Sequence, residues 1–241
     1  MRQQPEQQAP PVQRLRIRYA KRGRLRFTSH RDFSRAFERA VFRARIPMAY
    51  SSGFNPHPRI SYAGASPTGA ASEAEYVELG LAQVVDPAQV LADLDEALPD
   101  GLDLLVVVES EGGSLSDRLT GSRWRVGLPG AGDLAPLVAD FLARDEVLVE
   151  RMTKKGLREF DARGAVVSLV PATEPTGAVL DLVLRHTVPA VRPDDVLTAL
   201  TKVAGPDAGA SLGSGAPLLT RLEQGVLDEM TGTIGDPLAS P

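Results

Sequence analysis

Two histidines near the start of the chain, His30 and His57, stand in company that suits phosphodiester chemistry. His30 lies in Ser29-His30-Arg31-Asp32, and His57 in Tyr50-Ser51-Ser52-Gly53-Phe54-Asn55-Pro56-His57-Pro58. Imidazoles poised near neutral pH, with Tyr50 and Ser51 nearby and arginines to clamp a phosphate, are enough for metal-independent acid/base cleavage of RNA. The same groups serve equally to bind RNA without cutting it. Ser29 and His30 would meet a phosphate at a helix start, where the dipole and free N–H groups attract anions. Tyr50 and Phe54 would offer ring faces to bases, at roughly 1 to 3 kcal/mol per stacked base. Asn55 and His57 would shape or read the loop. In the plainest alternative His30 completes a helix cap and His57 braces its loop by hydrogen bonds.

What favours a polyanion is the distribution of charge. The net charge of -4 conceals a segregation: residues 1–60 hold fourteen Lys and Arg against three acids, Glu6, Asp32 and Glu38. The remainder holds thirteen bases against twenty-eight acids. Thirteen of the fourteen early bases are arginine, which keeps its charge at any relevant pH and presents a planar fork that fits phosphate. Seven aromatic residues are interleaved with them: Phe27, Phe33, Phe37, Phe42, Tyr50, Phe54 and Tyr62. Phe33 and Phe37 fall on a predicted core stripe, which leaves Tyr50 and Phe54 as the rings available to a base.

The elements that must position these groups are legible in the pattern. Residues 1–12 are rich in Gln and Pro and read as a disordered tail. Strict alternation in Arg14-Leu15-Arg16-Ile17-Arg18-Tyr19 predicts a strand with three arginines on its solvent face, and Arg24-Leu25-Arg26-Phe27 repeats the pattern after a turn. Ser29 to Asp32 reads as a capping box opening a helix, which buries Phe33, Ala36, Phe37, Ala40, Val41 and Ala44. Arg31, Arg35, Arg39 and Arg43 recur every four residues on another side, and Ile46-Pro47 stops the helix. Strands at 59–62, 75–82 and 102–108 and a helix at 87–98 complete an N-terminal domain over 13–111.

After a Gly/Ser-containing linker the order begins again. Strands at 123–128, 147–153, 157–169, 179–186 and 217–222, with helices at 134–143 and 193–202, predict a C-terminal domain over 122–228. Residues 206–214 read as a Gly/Ser/Ala loop, and 229–241 as a flexible tail. The predicted class is α+β, two tandem ferredoxin-like βαββαβ domains with antiparallel sheets. A second, smaller basic run, Arg151 to Arg158, reads as a hairpin tip.

Several chemistries lack their hardware. The chain has no cysteine, which removes disulfides, thiolate zinc sites, iron–sulfur clusters and cysteine nucleophiles. GxxxxGK[ST], GxGxxG, HExxH and GxSxG motifs are absent, so neither a cofactor nor a metal is expected. No apolar run approaches a membrane span and no secretion signal is evident, which predicts a cytoplasmic protein.

The run Gly23-Arg24-Leu25-Arg26-Phe27-Thr28-Ser29-His30-Arg31-Asp32-Phe33, with Phe37-Glu38-Arg39-Ala40, the Tyr50–Pro58 loop and Ser72-Glu73-Ala74-Glu75-Tyr76, resembles a bacterial family called radical-SAM-associated or radical-SAM-linked. Glu159-Phe160-Asp161-Ala162-Arg163 is loosely similar to its short acidic-basic strand motif. The resemblance implies a working association with a separately encoded radical SAM enzyme, and in actinobacteria-like relatives a gene neighbourhood of ribonuclease E/G and ribosomal proteins. The chain cannot itself be that enzyme, whose cluster needs three cysteines. In fold alone, two ferredoxin-like units with a histidine after the first strand are similar to the repeat-processing endoribonucleases of CRISPR systems.

These readings converge on an RNA-binding accessory protein that presents structured RNA, tRNA or rRNA, to a partner radical SAM or processing enzyme. Arg24, Arg26, Arg31, Arg35 and Arg39 would contact phosphate. The alternatives are an endoribonuclease using His30 and His57, and a protein–protein adaptor for a radical SAM enzyme that never touches RNA.

Overall fold

The computed structural model describes residues 7–153, 156–205 and 212–239. The protein is a mixed α+β chain with four helices and mostly antiparallel strands among the described residues. It divides into two compact units, Met1–Asp117 with Leu238–Pro241, and Arg118–Pro237.

The first unit runs β1 (Gln13–Lys21), α1 (His30–Arg43), β2 (Ile60–Ala63), β3 (Ala71–Leu81), α2 (Pro87–Ala97) and β4 (Leu102–Glu109). Its strands lie in the order β4-β1-β3-β2, each antiparallel to its neighbour. Period-two alternation places Leu15, Ile17 and Tyr19 of β1 beside Val77, Leu79 and Leu81 of β3 on one buried face. Phe33, Phe37, Ala40 and Val41 of α1 and Val90 and Leu94 of α2 pack onto it, as helical spacing requires. Fully burying a side chain of this size is worth roughly 1.5 to 3 kcal/mol, so this shared core is what fixes the exposed face of α1.

The opposite face of β1 departs from expectation. Arg16 is not solvated but 2% exposed, because residues 110–113 return across the sheet. Its Nε donates to Glu78 Oε2 at 3.1 Å, and Nη2 donates to the carbonyls of Gly112 and Gly113 at 2.7 and 2.8 Å. Arg14 pairs with the same Glu78. The predicted second strand at Arg24–Phe27 is instead a 3-10 turn over Gly23–Phe27. Both edges of β1 are already occupied, by β3 and β4, so no hairpin ladder with β1 is open to it. Gly23, at φ 55°, turns the chain away, and Gly69 N–H ties the turn down by donating to Arg26 O at 2.7 Å.

Helix α1 begins at the predicted Ser29 cap, though the Asp32 carboxylate meets the Ser29 hydroxyl and does not complete a capping box, and the helix ends otherwise. Asp32 N–H donates to Ser29 Oγ at 3.2 Å, and that hydroxyl donates to the Asp32 carboxylate at 2.7 Å. At the other end Arg45 adopts φ 54°, with Arg45 N–H donating to Phe42 O and Ile46 N–H to Val41 O, both at 3.1 Å. This is a Schellman motif with arginine where glycine is usual, and Pro47 merely follows it. A left-handed non-glycine residue costs about 1 to 2 kcal/mol. Arg45→Gly, which also frees the unfolded chain, should therefore raise the unfolding free energy by about 1 kcal/mol in urea titration; a decrease would contradict this reading.

Of the expected N-terminal tail, residues 1–6 lie outside the described residues. Beyond them the chain is held: Gln8 N–H donates to Ser52 Oγ at 2.9 Å and Val12 N–H to Leu81 O at 2.9 Å.

The second unit runs β5 (Gly121–Pro129), α3 (Ala135–Leu142), β6 (Leu148–Thr153), β7 (Gly156–Asp161), β8 (Val166–Glu174), β9 (Gly177–Arg185), α4 (Pro193–Ala204), β10 (Leu218–Leu227) and β11 (Ile234–Gly235). Its sheet has the order β10-β5-β9-β8, again antiparallel throughout, while β6 and β7, among the described residues, pair with each other in a separate two-stranded sheet. The single strand expected over 157–169 is thus two, divided by a 3-10 turn at Arg163–Ala165. Asp161 makes that break by accepting N–H bonds from Val147, Arg163 and Gly164, and Arg163 clamps the carbonyls of Leu142 and Val166. In the basic run, Arg151 is engaged by Asp195 and Ala190 O, and Lys154 and Lys155 lie outside the described residues. So does most of the loop expected over 206–214. The C-terminal segment contributes β11, antiparallel to β10. No helix among the described residues is long and apolar enough to cross a membrane.

Candidate nucleic-acid interface

The arginines of the opening quarter sort into two classes by what they touch. Arg14 and Arg16 face Glu78, and Arg22 is held by both Glu73 and Asp103, which raise its pKa further above the ordinary value. These are structural. Arg24, Arg31, Arg35, Arg39, Arg43 and Arg45 are exposed, and among the described residues none forms an ion pair. Arg26 is half-buried, its guanidinium 4.7 Å above the Phe27 ring.

Four of the free arginines follow from helix geometry. A step of four residues advances the helix by slightly more than one turn, so Arg31, Arg35, Arg39 and Arg43 form a stripe opposite the buried Phe33, Phe37, Ala40 and Val41. Arg35 and Arg39 line a groove of about 460 Å3 with Glu38 and Phe42. A neighbouring groove of about 660 Å3 runs between the end of α1 and the 46–58 segment, lined by Glu38, Phe42, Arg43, Arg45, Met48 and Tyr50 among others. Phe42 forms part of both grooves and is 83% exposed. The sequence reading did not single it out, although the signal was present: Phe42 is seven residues after Arg35 and three after Arg39, on the cationic side of the helix rather than the core stripe.

The loop is stiff, and it closes on itself. Tyr50 bridges Pro58, Ser51 N–H donates to His57 O at 2.9 Å, His57 N–H donates to Ser51 Oγ at 3.0 Å, and Arg59 Nε donates to Tyr50 O at 3.1 Å. Gly53, at φ 130°, makes the tip. Tyr50 is 43% and Phe54 71% exposed. Tyr50 shares the larger groove; Phe54, Asn55 and His57 sit exposed on the loop and line neither groove.

One family model, described as an uncharacterized protein conserved in bacteria (DUF2344), matches residues 14–193. The chain belongs to this family. The match covers the strands and helices of the first unit but for Gln13, the first residue of β1, and reaches the first residue of α4, so the whole arginine helix and its loop lie inside the DUF2344 region. No curated protein matches the chain.

The two candidate histidines of this DUF2344 chain sit in separate elements. His30, in the first turn of α1, packs edge-on to Tyr62 with ring centroids 5.1 Å apart, and His57 is held through its backbone in the loop; no hydrogen bond joins them among the described residues. Burial pushes the Tyr62 phenol up to about 12, the Glu38 charge adding to this and the Ser34 hydroxyl opposing it. Ser29 is engaged twice by Asp32, accepting from its N–H and donating to its carboxylate, so its proton is already used. His186 has both ring nitrogens occupied, Nδ1 by Leu119 O at 2.7 Å and Nε2 by Ser122 Oγ at 3.1 Å. Burial lowers its pKa, and the Arg221 charge adds to this against the Leu119 carbonyl. Among the described residues no group of three or more His, Asp or Glu is placed to hold a metal ion.

Proposed function

We propose that this DUF2344 chain binds RNA along α1 and presents it to a separate enzyme. The observation that carries the reading is the stripe Arg31, Arg35, Arg39 and Arg43, none of which meets a carboxylate among the described residues. Like charges four residues apart disfavour a helix by a few tenths of a kcal/mol per pair. Four such side chains without an ion-pair partner among the described residues suit an external polyanion, and the exposed rings of Phe42 and Tyr50 beside them suit unstacked bases rather than a plain anionic surface. We read each unit as a ferredoxin-like fold, since in each the four sheet strands lie in the order fourth, first, third, second, with β6 and β7 inserted in the second. The resemblance to the radical-SAM-linked family supplies the partner class: a radical SAM enzyme encoded separately, met in the cytoplasm, with tRNA or rRNA as the shared ligand.

Filter retention of a labelled, partly single-stranded RNA by the full chain tests the binding step. Single strands lose about 0.7 in log–log slope per phosphate neutralised. Five contacts then give a loss of about 100-fold in affinity between 50 and 200 mM salt. Retention that is flat with salt, or none at 50 mM, overturns the proposal. A pull-down whose protein partner survives ribonuclease treatment unchanged, in a chain that retains no RNA, would favour the adaptor reading.

A further inference from the structure

The groove between the end of α1 and the loop has a chemistry more specific than charge. Its floor is apolar, its two exposed rings are Phe42 and Tyr50, Arg43 and Arg45 stand at its rim, and one acid, Glu38, reaches it. Glu38 lies among Arg35, Arg39 and Arg43 yet forms no ion pair with any of them among the described residues. An acid is out of place on a surface that only clamps phosphate, because it repels the ligand. It is in place where a ligand presents hydrogen-bond donors.

Resting on the RNA reading above, we infer that this groove takes one unstacked guanine base, held by Phe42 and Tyr50 and read by the Glu38 carboxylate. A carboxylate offers two acceptor oxygens side by side and no donor. Of the four RNA bases, guanine alone carries two adjacent donors, N1–H and the N2 amino group, on its Watson–Crick edge, which single-stranded recognition leaves open. Adenine and cytosine offer one amino group beside a ring acceptor that a carboxylate repels, and uracil offers one N–H between two carbonyls. The groove's 660 Å3 admits a base with its sugar, and Arg43 and Arg45 lie where flanking phosphates would follow. Arg45 holds its place at φ 54°, a conformation glycine would adopt at lower energy, which agrees with a side chain kept for contact.

Fluorescence anisotropy with octameric RNAs tests this: seven uridines and one central guanosine, against the same octamer with adenosine or inosine, the latter lacking the N2 amino group. A bidentate base contact discriminates by about tenfold, so the guanosine octamer should bind about tenfold more tightly than either. In Glu38→Gln the preference should fall below about twofold while binding of the adenosine octamer strengthens, since a repulsive charge has gone. A merely structural Glu38 would not move these two quantities in opposite directions. Arg45→Gly, expected to be the more stable protein, should weaken all three octamers. Equal, salt-sensitive binding of the three by the natural chain, or a preference that survives Glu38→Gln, overturns the guanine assignment and leaves RNA binding standing. Failure of all three to bind at 50 mM salt removes both.

Discussion

Replacing Arg31, Arg35 and Arg39 together with glutamine should lower RNA affinity on the order of 100-fold at 50 mM salt and reduce the log–log salt slope by about 2. The slope follows from three lost phosphate contacts at about 0.7 each. The affinity follows from three charge-assisted hydrogen bonds, each worth at least about 1 kcal/mol net. Stability should move the other way. Arg31 and Arg35, Arg35 and Arg39, and Arg39 and Arg43 are like-charge neighbours one turn apart, and relieving three such pairs gains a few tenths of a kcal/mol each. Glutamine is nearly as good a helix former as arginine, so the helix itself is not weakened. A variant that is slightly more stable and binds far less RNA cannot be explained by misfolding. The matched control replaces Arg123, Arg125 and Arg185, which pair with Asp181, Glu174 and Glu229 in the second unit. It removes the same charge from the chain at residues whose charge carboxylates already balance, so it should change affinity less than about threefold. Equal losses in the two triples would mean that net charge, and no patch on α1, governs retention.

What the sequence made legible and what it did not divide along one line, whether the deciding contact is local. The α1 stripe was legible because Ser29, Phe33, Phe37, Ala40 and Val41 specify the helix within one turn of each other, and the arginine side follows by subtraction. Strand β1 was legible for the same reason. Arg24-Leu25-Arg26-Phe27 carries an identical alternation and is a 3-10 turn, because a hairpin with β1 needs a free edge and β3 and β4, fifty to eighty residues away, had taken both. Likewise Arg14 and Arg16 differ by one period of a strand, yet one is half-exposed and the other buried, and the difference is made by Gly112 and Gly113. The division into free and engaged arginines could not be drawn from spacing, since the engaging acids, Glu73, Glu78 and Asp103, lie far along the chain. Phe42 is the opposite case. Its position on the cationic side was available from helical arithmetic alone and was passed over in favour of rings on the loop.

Arg16 gives the second large expectation, on stability rather than binding. Its guanidinium holds three acceptors at once: Glu78 on the adjacent strand and the two carbonyls of the 112–113 turn. Glu78 also accepts from Arg14 and from Ser110 Oγ at 3.2 Å, so one carboxylate and one guanidinium tie β1, β3 and the chain beyond β4 together. Arg16→Met fits the apolar part of the site and removes every one of these bonds. Breaking a buried pair by taking one partner costs about 3 to 5 kcal/mol, because the other charge stays behind. Here Glu78 keeps the exposed Arg14, which argues for the lower end, about 3 kcal/mol, read as a shift of the urea midpoint at unchanged slope. Arg16→Lys should recover only part of this, since a single ammonium cannot present the planar fork that reaches a carboxylate and two carbonyls together. Replacing Arg16 and Glu78 jointly by methionine should cost less than Arg16→Met alone, because no unpaired charge is then buried. A loss below about 1 kcal/mol for Arg16→Met would mean that residues 110–113 do not close over the sheet in solution. RNA retention per folded molecule should stay unchanged in all three variants, for Arg16 has no surface to offer a ligand. Its insensitivity, set beside the loss at Arg31, Arg35 and Arg39, separates the arginines that build the domain from those that face outward.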